Sequence, residues 1–214
     1  MSSKVLSGIR KEYRSGELEE GRIDKDPFRQ FSHWMQDALD CGIEEPTAMF
    51  LATAGENGQP SGRIVLLKEF DESGFVFFTH HLSRKGVEMK KNPLVAGTFH
   101  WKELERQVRF TGKVLRISRT ASEAYFNSRP MDSRISAIIS PQSSVIPDRM
   151  FLEKKRTELI SVFPGQRVSC PTDWGGYRIV PAEFEFWQGR EFRLHDRICY
   201  TRIRGGWQIK RLAP

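Results

Sequence analysis

TAMFLATAGENGQPSGRIVLLKEFDESGFVFFT, residues 47–79, decides the fold. Three short apolar runs, 47–54, 62–70 and 74–79, flank the turn-like ENGQP and DESG. Gly, Asn, Asp and Pro favour tight turns, so the stretch reads as consecutive antiparallel strands, a β-meander. Downstream, SRKGVEMKKNP (83–93) predicts a short helix, with Ser83 as its cap, two Lys in its last turn and Asn92-Pro93 as its stop. LVAGTFHW (94–101) and RQVRFTGKVLRIS (106–118) are two more expected strands, with a bulge or bend at Gly112. Thr120-x-x-Glu123 matches a capping box opening a helix to about Asn127. A second helix is expected over 131–139. A third, over 149–163, is capped by Asp148, with Leu152, Leu159, Val162 and Phe163 inward. The tail returns to strands at 175–180, 183–188, 196–203 and 206–212.

Upstream, Asp26-Pro27 reads as an N-cap followed by Pro at the first helical position. Phe28, Phe31, Trp34, Met35, Ala38 and Leu39 then share one helical face. Residues 1–25 are charged and poor in large apolar groups, and are expected to form a mobile N-terminal arm. Nothing alternates strand with helix as a parallel sheet requires. The expected fold is mainly β with peripheral helices, a closed antiparallel barrel forming a single domain over 26–214.

Composition bounds the function. The chain has 214 residues, 38% of them hydrophobic and 29% charged, which excludes global disorder. No apolar run nears the roughly 18 residues that span a bilayer, and the N-terminus has no signal-peptide core. Three separated cysteines exclude a disulfide framework and predict a reducing, cytoplasmic setting. The net charge is +7, and 22 of the 34 cations are Arg, the residue that grips phosphate and carboxylate in bidentate fashion. That excess fits either a polyanion or small phosphorylated ligands.

No dinucleotide fingerprint, P-loop, zinc-protease or nucleophile-elbow motif occurs. His80 and His81 are adjacent on a strand and point to opposite faces, so they cannot easily share a metal. Alternation places Arg63, Val65 and Leu67 on one strand face, and Ile64, Leu66 and Lys68 on the other. A cation at each end of an apolar strand could hold an anion at each end of a ligand. Ser83-Arg84-Lys85 opens a helix whose free N–H groups favour anions, so cations there imply an anionic ligand. Tyr125, Arg129 and Ser133 recur at spacings of four and combine charge with neutral donors, as a phosphate clamp does. The segment 186–197 gathers three cations, His195 and Trp187 between two strands. It reads as an anion-facing turn or as a nucleic-acid patch.

Together these segments resemble the pyridoxamine (pyridoxine) 5′-phosphate oxidase family from about Arg10 to Pro214. The resemblance rests on RKEY (10–13), DPF (26–28), PTAM (46–49), GRIVLLK (62–68), SRK (83–85), LERQVR (104–109), YFNSRPMDS (125–133), QSS (142–144), WGGYR (174–178), EFWQGREFRLHDR (185–197) and RLAP (211–214). It implies an FMN-binding split β-barrel that works as a homodimer with FMN at the interface. The implied reaction oxidises pyridoxamine or pyridoxine 5′-phosphate to pyridoxal 5′-phosphate and reduces O₂ to H₂O₂, with hydride passing from substrate C4′ to flavin N5. FMN would lie on Arg63, Ile64, Val65, Leu66, Leu67, Lys68, Phe78, Thr79, Arg84, Lys85, Gln107, Gln142, Ser143, Trp187 and Arg197. Lys68, Tyr125, Arg129 and Ser133 would grip the substrate phosphate. Arg193, Leu194 and His195 would meet the substrate, with Arg193 and His195 in the catalytic roles, and Arg10, Lys11, Glu12 and Tyr13 would close as a lid. No metal and no nucleic acid is expected.

Two positions depart from the family pattern. Phe78 stands where relatives often carry Tyr, and Glu19-Glu20 is acidic where some relatives are basic. The rivals are a flavin reductase of the same fold, a nucleic-acid-binding module driven by the charge, and a non-catalytic flavin or pyridoxal-phosphate carrier.

Overall fold

The structure is a computed structural model and describes residues 12–14, 16–162 and 168–214. Nine strands and five α-helices follow one another in the order α1 (Pro27–Asp40), β1 (Ala48–Ala54), β2 (Pro60–Leu66), β3 (Glu69–Asp71), β4 (Gly74–His80), α2 (Arg84–Lys91), β5 (Leu94–Trp101), β6 (Arg106–Arg116), α3 (Arg119–Ser128), α4 (Met131–Ile139), α5 (Met150–Val162), β7 (Trp174–Gln188), β8 (Asp196–Ile203) and β9 (Gly206–Arg211). The strands pair in the order β2-β1-β5-β6-β7-β4-β3, with β8 on β7 and β9 on β8. The β3–β4, β4–β7, β7–β8 and β8–β9 ladders are antiparallel.

The chain forms two compact units, and β1, β5, β6 and β7 contribute residues to each. The first unit holds the described residues up to Met49, with Gly97–Thr111 and Pro181–Pro214. Its core is aromatic. Phe31 meets Phe99 at 5.0 Å, Phe28 meets Phe184 at 5.1 Å, and Trp34 meets Phe186 at 5.2 Å. Helix α1 delivers three of these rings. Asp26 caps it by accepting from Phe28 N at 2.9 Å, and Pro27 at its start has no N–H to leave unpaired. Leu39 shares the apolar face by angle but is 51% exposed, while Ala38 beside it is fully buried.

The second unit holds Phe50–Ala96 and the described part of Gly112–Val180. Phe126, Ala137, Val168 and Trp174 form a buried cluster there, with Phe78 and Tyr125 packed against it. Helix α3 is capped by Ser118, whose Oγ accepts from Ala121 N, and not by Thr120 as the capping-box pattern predicted. Glu123 pairs instead with Arg119 at 2.7 Å. Asp148 does cap α5, accepting from Phe151 N at 2.9 Å. No α5 side chain is fully buried, however: of the expected inward residues Leu152 and Leu159 are half-buried and Val162 is 65% exposed, so the inward face is formed only in part; Phe163 lies outside the described residues.

Three strand boundaries also differ from the sequence reading. The expected 62–70 strand divides into β2 and β3 at Leu67-Lys68, where Lys68 N donates to Val76 O at 2.9 Å. Burial alternates without a break through Gly112 in β6, so no bulge flips its faces. β7 runs on through Pro181 as one strand of 15 residues. Residues 174–179 pair with β4 and 183–188 with β8, so the missing proline donor falls between the two ladders.

Candidate active site

A cavity of about 580 Å³ opens in the second unit. One wall is β2 and its exit, Arg63, Ile64, Val65, Leu66 and Lys68. The others come from Phe78, Thr79 and His80 on β4, Lys85 on α2, Tyr125 and Arg129 at α3, Ser136, Ala137, Ser140 and Gln142 at α4, and Trp174.

Lys85 is 8% exposed, and among the described residues its Nζ donates to neutral partners alone: Thr79 Oγ1 at 3.2 Å, Gln142 Oε1 at 3.3 Å and Ser83 Oγ at 3.5 Å. Burial, helped by the nearby Arg63 charge and opposed by Glu88, pushes its pKa down. A buried ammonium without a paired carboxylate is costly, and an anion entering the cavity would relieve it. Ser83 caps α2 by accepting from Gly86 N at 3.3 Å and donates to His80 O at 2.7 Å.

Arg129 offers a second cation on the same cavity. Its guanidinium lies 4.9 Å from the Trp174 ring centre, and its buried Nη1 has no hydrogen-bond partner among the described residues. Burial lowers its pKa and raises that of Tyr125. Tyr125 stacks on Phe78 at 3.8 Å, and Trp174 lies nearly parallel to both rings. Phe78 thus presents its ring face to Tyr125.

His80 is engaged within the fold. Its Nε2 sits 2.6 Å from Ala137 O, tying α4 to β4, and its Nδ1 lies 3.6 Å from Asp173 just before β7. No cluster of metal-ligating side chains occurs among the described residues.

The first unit holds the other expected residues. Trp187 and His195 lie 4.7 Å apart, and Tyr13 packs edge-on to both, at 5.6 and 5.5 Å. A β-carbon on Gly189 would stand 2.8 Å from Tyr13, so glycine there makes room for the ring. His195 Nδ1 accepts from Arg190 N at 3.1 Å, which places the proton of the neutral ring on Nε2. Burial and then the Arg193 charge lower its pKa against the pull of Asp196. Phe192 and Arg193 carry φ of 56° and 62°, a left-handed pair that costs roughly 1–3 kcal/mol per residue. Both side chains are exposed. Arg197 binds buried Glu185 through Nε (2.9 Å) and Nη2 (3.0 Å), and donates to Ala213 O. Arg109 shares Glu185. Gln107 is half-buried.

The structure therefore gathers Arg63, Ile64, Val65, Leu66, Lys68, Phe78, Thr79, Lys85, Tyr125, Arg129 and Gln142 around one cavity, and Tyr13, Trp187 and His195 into one ring cluster. Leu67 is buried, and Ser133 and Ser143 do not line the cavity; Ser136 and Ser140, further along α4, do. Arg84 is exposed and paired with Glu88. Arg10 and Lys11 lie outside the described residues. Sequence reasoning missed Trp174, Ser136, Ser140 and Glu88. Glu88 had a local signal, the i,i+4 spacing from Arg84, and Trp174 lay within the WGGYR motif without being singled out.

The profile described as pyridoxamine 5′-phosphate oxidase matches residues 35–163, and that of the pyridoxine 5′-phosphate oxidase C-terminal dimerisation region matches 174–214. The chain belongs to the pyridoxamine 5′-phosphate oxidase family. It is accordingly an oxidoreductase. Among its relatives, the pyridoxine/pyridoxamine 5′-phosphate oxidase of Trichormus variabilis is 47% identical over 212 residues, 99% of each chain. That of Paraburkholderia phytofirmans is 51% identical over 211 residues, 98% of this chain and 99% of the relative. Among solved structures, PhzG from Burkholderia lata, in complex with tetrahydrophenazine-1-carboxylic acid, superposes with a TM-score of 0.87 at 28% identity, covering 92% of this chain and 98% of that one. An FMN-binding, pyridoxamine 5′-phosphate oxidase-related protein from Nostoc punctiforme gives 0.70 at 18% identity with the same coverage, a likeness of fold alone. The oxidase family's split β-barrel is thus the fold class of this chain, as its sequence led one to expect. The cavity residues 63–142 fall within the first matched region, and Trp187, Arg193, His195 and Arg197 within the dimerisation region.

Proposed function

We propose that this protein is an FMN-dependent oxidase that converts pyridoxamine 5′-phosphate and pyridoxine 5′-phosphate to pyridoxal 5′-phosphate, the last step in making that coenzyme. The observation that carries the reading is a single cavity with two poorly satisfied cations, buried Lys85 and the orphaned Nη1 of Arg129. FMN and the substrate each bring one phosphate, so two such grips are required. The residues present fit FMN: Lys85, Arg63, Arg84, Thr79 and Gln142 would hold its phosphate, and Ile64 to Leu67 with Phe78 its apolar parts. Ser143, Gln107, Trp187 and Arg197 complete the proposed cofactor set.

When bound, the flavin takes the hydride from substrate C4′ and passes the electrons to O₂, giving H₂O₂. The chain itself binds and orients. Lys68, Tyr125, Arg129 and Ser133 would hold the substrate phosphate, fixing where C4′ lies. Arg193 would set its cation against the substrate ring, beside Leu194. Neutral His195 would offer its Nε2–H to the substrate. A weakly basic imidazole suits a reaction whose substrate proton water can take. Residues 10–13, within an arm over 1–25, would close the site and exclude solvent, while 26–214 act as one catalytic domain. We also propose a homodimer and a cytoplasmic setting. The matched dimerisation region supports the first, and three free cysteines support the second. No helix among the described residues is long and apolar enough to cross a membrane.

The test is the visible spectrum of the purified protein. A flavin band that bleaches when pyridoxamine 5′-phosphate is added without air, and returns with air, is the expected result. A colourless protein unable to take up FMN would overturn the reading.

A further inference from the structure

Beneath the Arg63–Arg84–Lys85 cations lies one carboxylate with no role in binding or chemistry so far. Glu88 follows Arg84 by one turn of α2 and is 9% exposed. Its Oε2 accepts from Thr53 Oγ1 (2.5 Å), Ser61 Oγ (2.6 Å) and Arg63 Nη2 (3.3 Å), and its Oε1 accepts from Arg84 Nε (2.9 Å). One side chain thereby ties α2 to β1 and β2 and fixes two of the three cations. Arg63 is held from its other side as well, with Nη1 donating to Leu51 O (3.1 Å) and Thr53 Oγ1 (2.6 Å), and Nη2 to Ser61 Oγ (2.5 Å).

We propose that Glu88 is the positioning residue of the phosphate grip, holding Arg63, Arg84 and the start of α2 so that the site selects a phosphate-bearing flavin over its phosphate-free form. The inference rests on the FMN reading above.

Glu88 acts in two opposing ways. Its charge subtracts from the cations, which by itself weakens anion binding. Its hydrogen bonds pre-order two long guanidinium side chains and the helix that carries Lys85, which strengthens binding by removing an ordering cost from the ligand. Thr53 is 2% exposed, so without Glu88 its hydroxyl and the Arg63 Nη2 both lose a buried acceptor, and the cross-link opens. Burial raises the Glu88 pKa, but the Ser61, Thr53 and Arg84 hydrogen bonds and the Arg63 charge outweigh it and hold the pKa at about 2. The carboxylate is therefore ionised throughout the working range. Ordering is expected to win, because the same contacts recur with neutral donors on β1 and β2.

The test compares FMN and riboflavin, which differ only in the phosphate, by flavin fluorescence on wild type, Glu88→Gln, Thr53→Val and Ser61→Ala. The last two keep the charge and loosen the cross-link, and they cover the case in which Glu88→Gln fails to fold. Expected is a loss of FMN affinity of about 10- to 100-fold for Glu88→Gln, and a smaller loss for the other two. Riboflavin affinity should change less than about twofold, since it lacks the phosphate the grip holds. The proposal is overturned by tighter FMN binding, by unchanged FMN binding, or by FMN and riboflavin affinity falling together. A wild type that binds neither flavin would instead refute the FMN reading itself.

Discussion

Lys85 combines a charge, burial and neutral neighbours, so its removal should be felt by the ligand more than by the fold. Lys85→Met is expected to weaken FMN binding about tenfold or more, with little loss of thermal stability, since deleting a buried charge also deletes its desolvation cost. Flavin retained per chain after gel filtration measures it. Arg129→Ala should behave differently. Removing the guanidinium, whose buried Nη1 has no hydrogen-bond partner among the described residues, should raise KM for pyridoxamine 5′-phosphate about tenfold or more while FMN occupancy stays near wild type, as steady-state kinetics on flavin-saturated enzyme would show. Arg193→Ala, by contrast, should lower kcat/KM with FMN fully bound; near-normal kcat/KM would remove Arg193 from its assigned role. At this scale the sequence was informative about residue type but not partner. Arg197 is recognisable as a site residue, yet its bidentate grip on Glu185 crosses two strands, and no local spacing signals it.

At the scale of elements, α2 is positioned by a close approach. A β-carbon on Gly86 would stand 2.3 Å from His81 O and 2.7 Å from His80 O, both backbone atoms that cannot swing aside. Gly86→Ala should therefore push α2 off the 80–81 turn, cost about 1–3 kcal/mol in denaturant unfolding, and lower flavin occupancy together with stability. The same turn sets an acid limit. Burial, then the Arg116 charge, lowers the His81 pKa to about 4 against the pull of Asp173. Between about pH 4 and 6.5 the unfolded chain binds the proton and the folded chain does not, so stability falls as pH drops through this window. The expected loss is about 1–2 kcal/mol, allowing for partial exposure of the ring. Urea midpoints across pH 4–7 should show a shallower decline in His81→Gln. The helices whose caps were legible, α1, α2 and α5, begin with a side chain that bonds its own first turn. Helix α3 was misread because two Ser/Thr candidates lay two residues apart, and only the backbone direction at Ser118 selects between them.

For the whole molecule, the proposed homodimer predicts light scattering at twice the 24.8 kDa chain mass, with dissociation lowering flavin retention. A monomeric mass with full flavin occupancy would count against it. The +7 net charge is ambiguous in composition alone, and the structure shows which cations are engaged: Arg106, Arg109, Arg178, Arg190, Arg197 and Arg211 are each paired with a carboxylate. Glu20 adds a second carboxylate to Arg211, binding it at 2.6 Å beside the Asp196 pair. The sequence by itself determined the antiparallel strand run, the helix starts and the family, because apolar periodicity, turn residues and caps are local and act within a few positions. Only the tertiary structure decided which cations remain available. Whether Arg63, Lys85, Arg129 or Arg197 meets a carboxylate, a hydroxyl or nothing depends on burial and on partners tens of residues away, and burial and pairing set the energy of a charge.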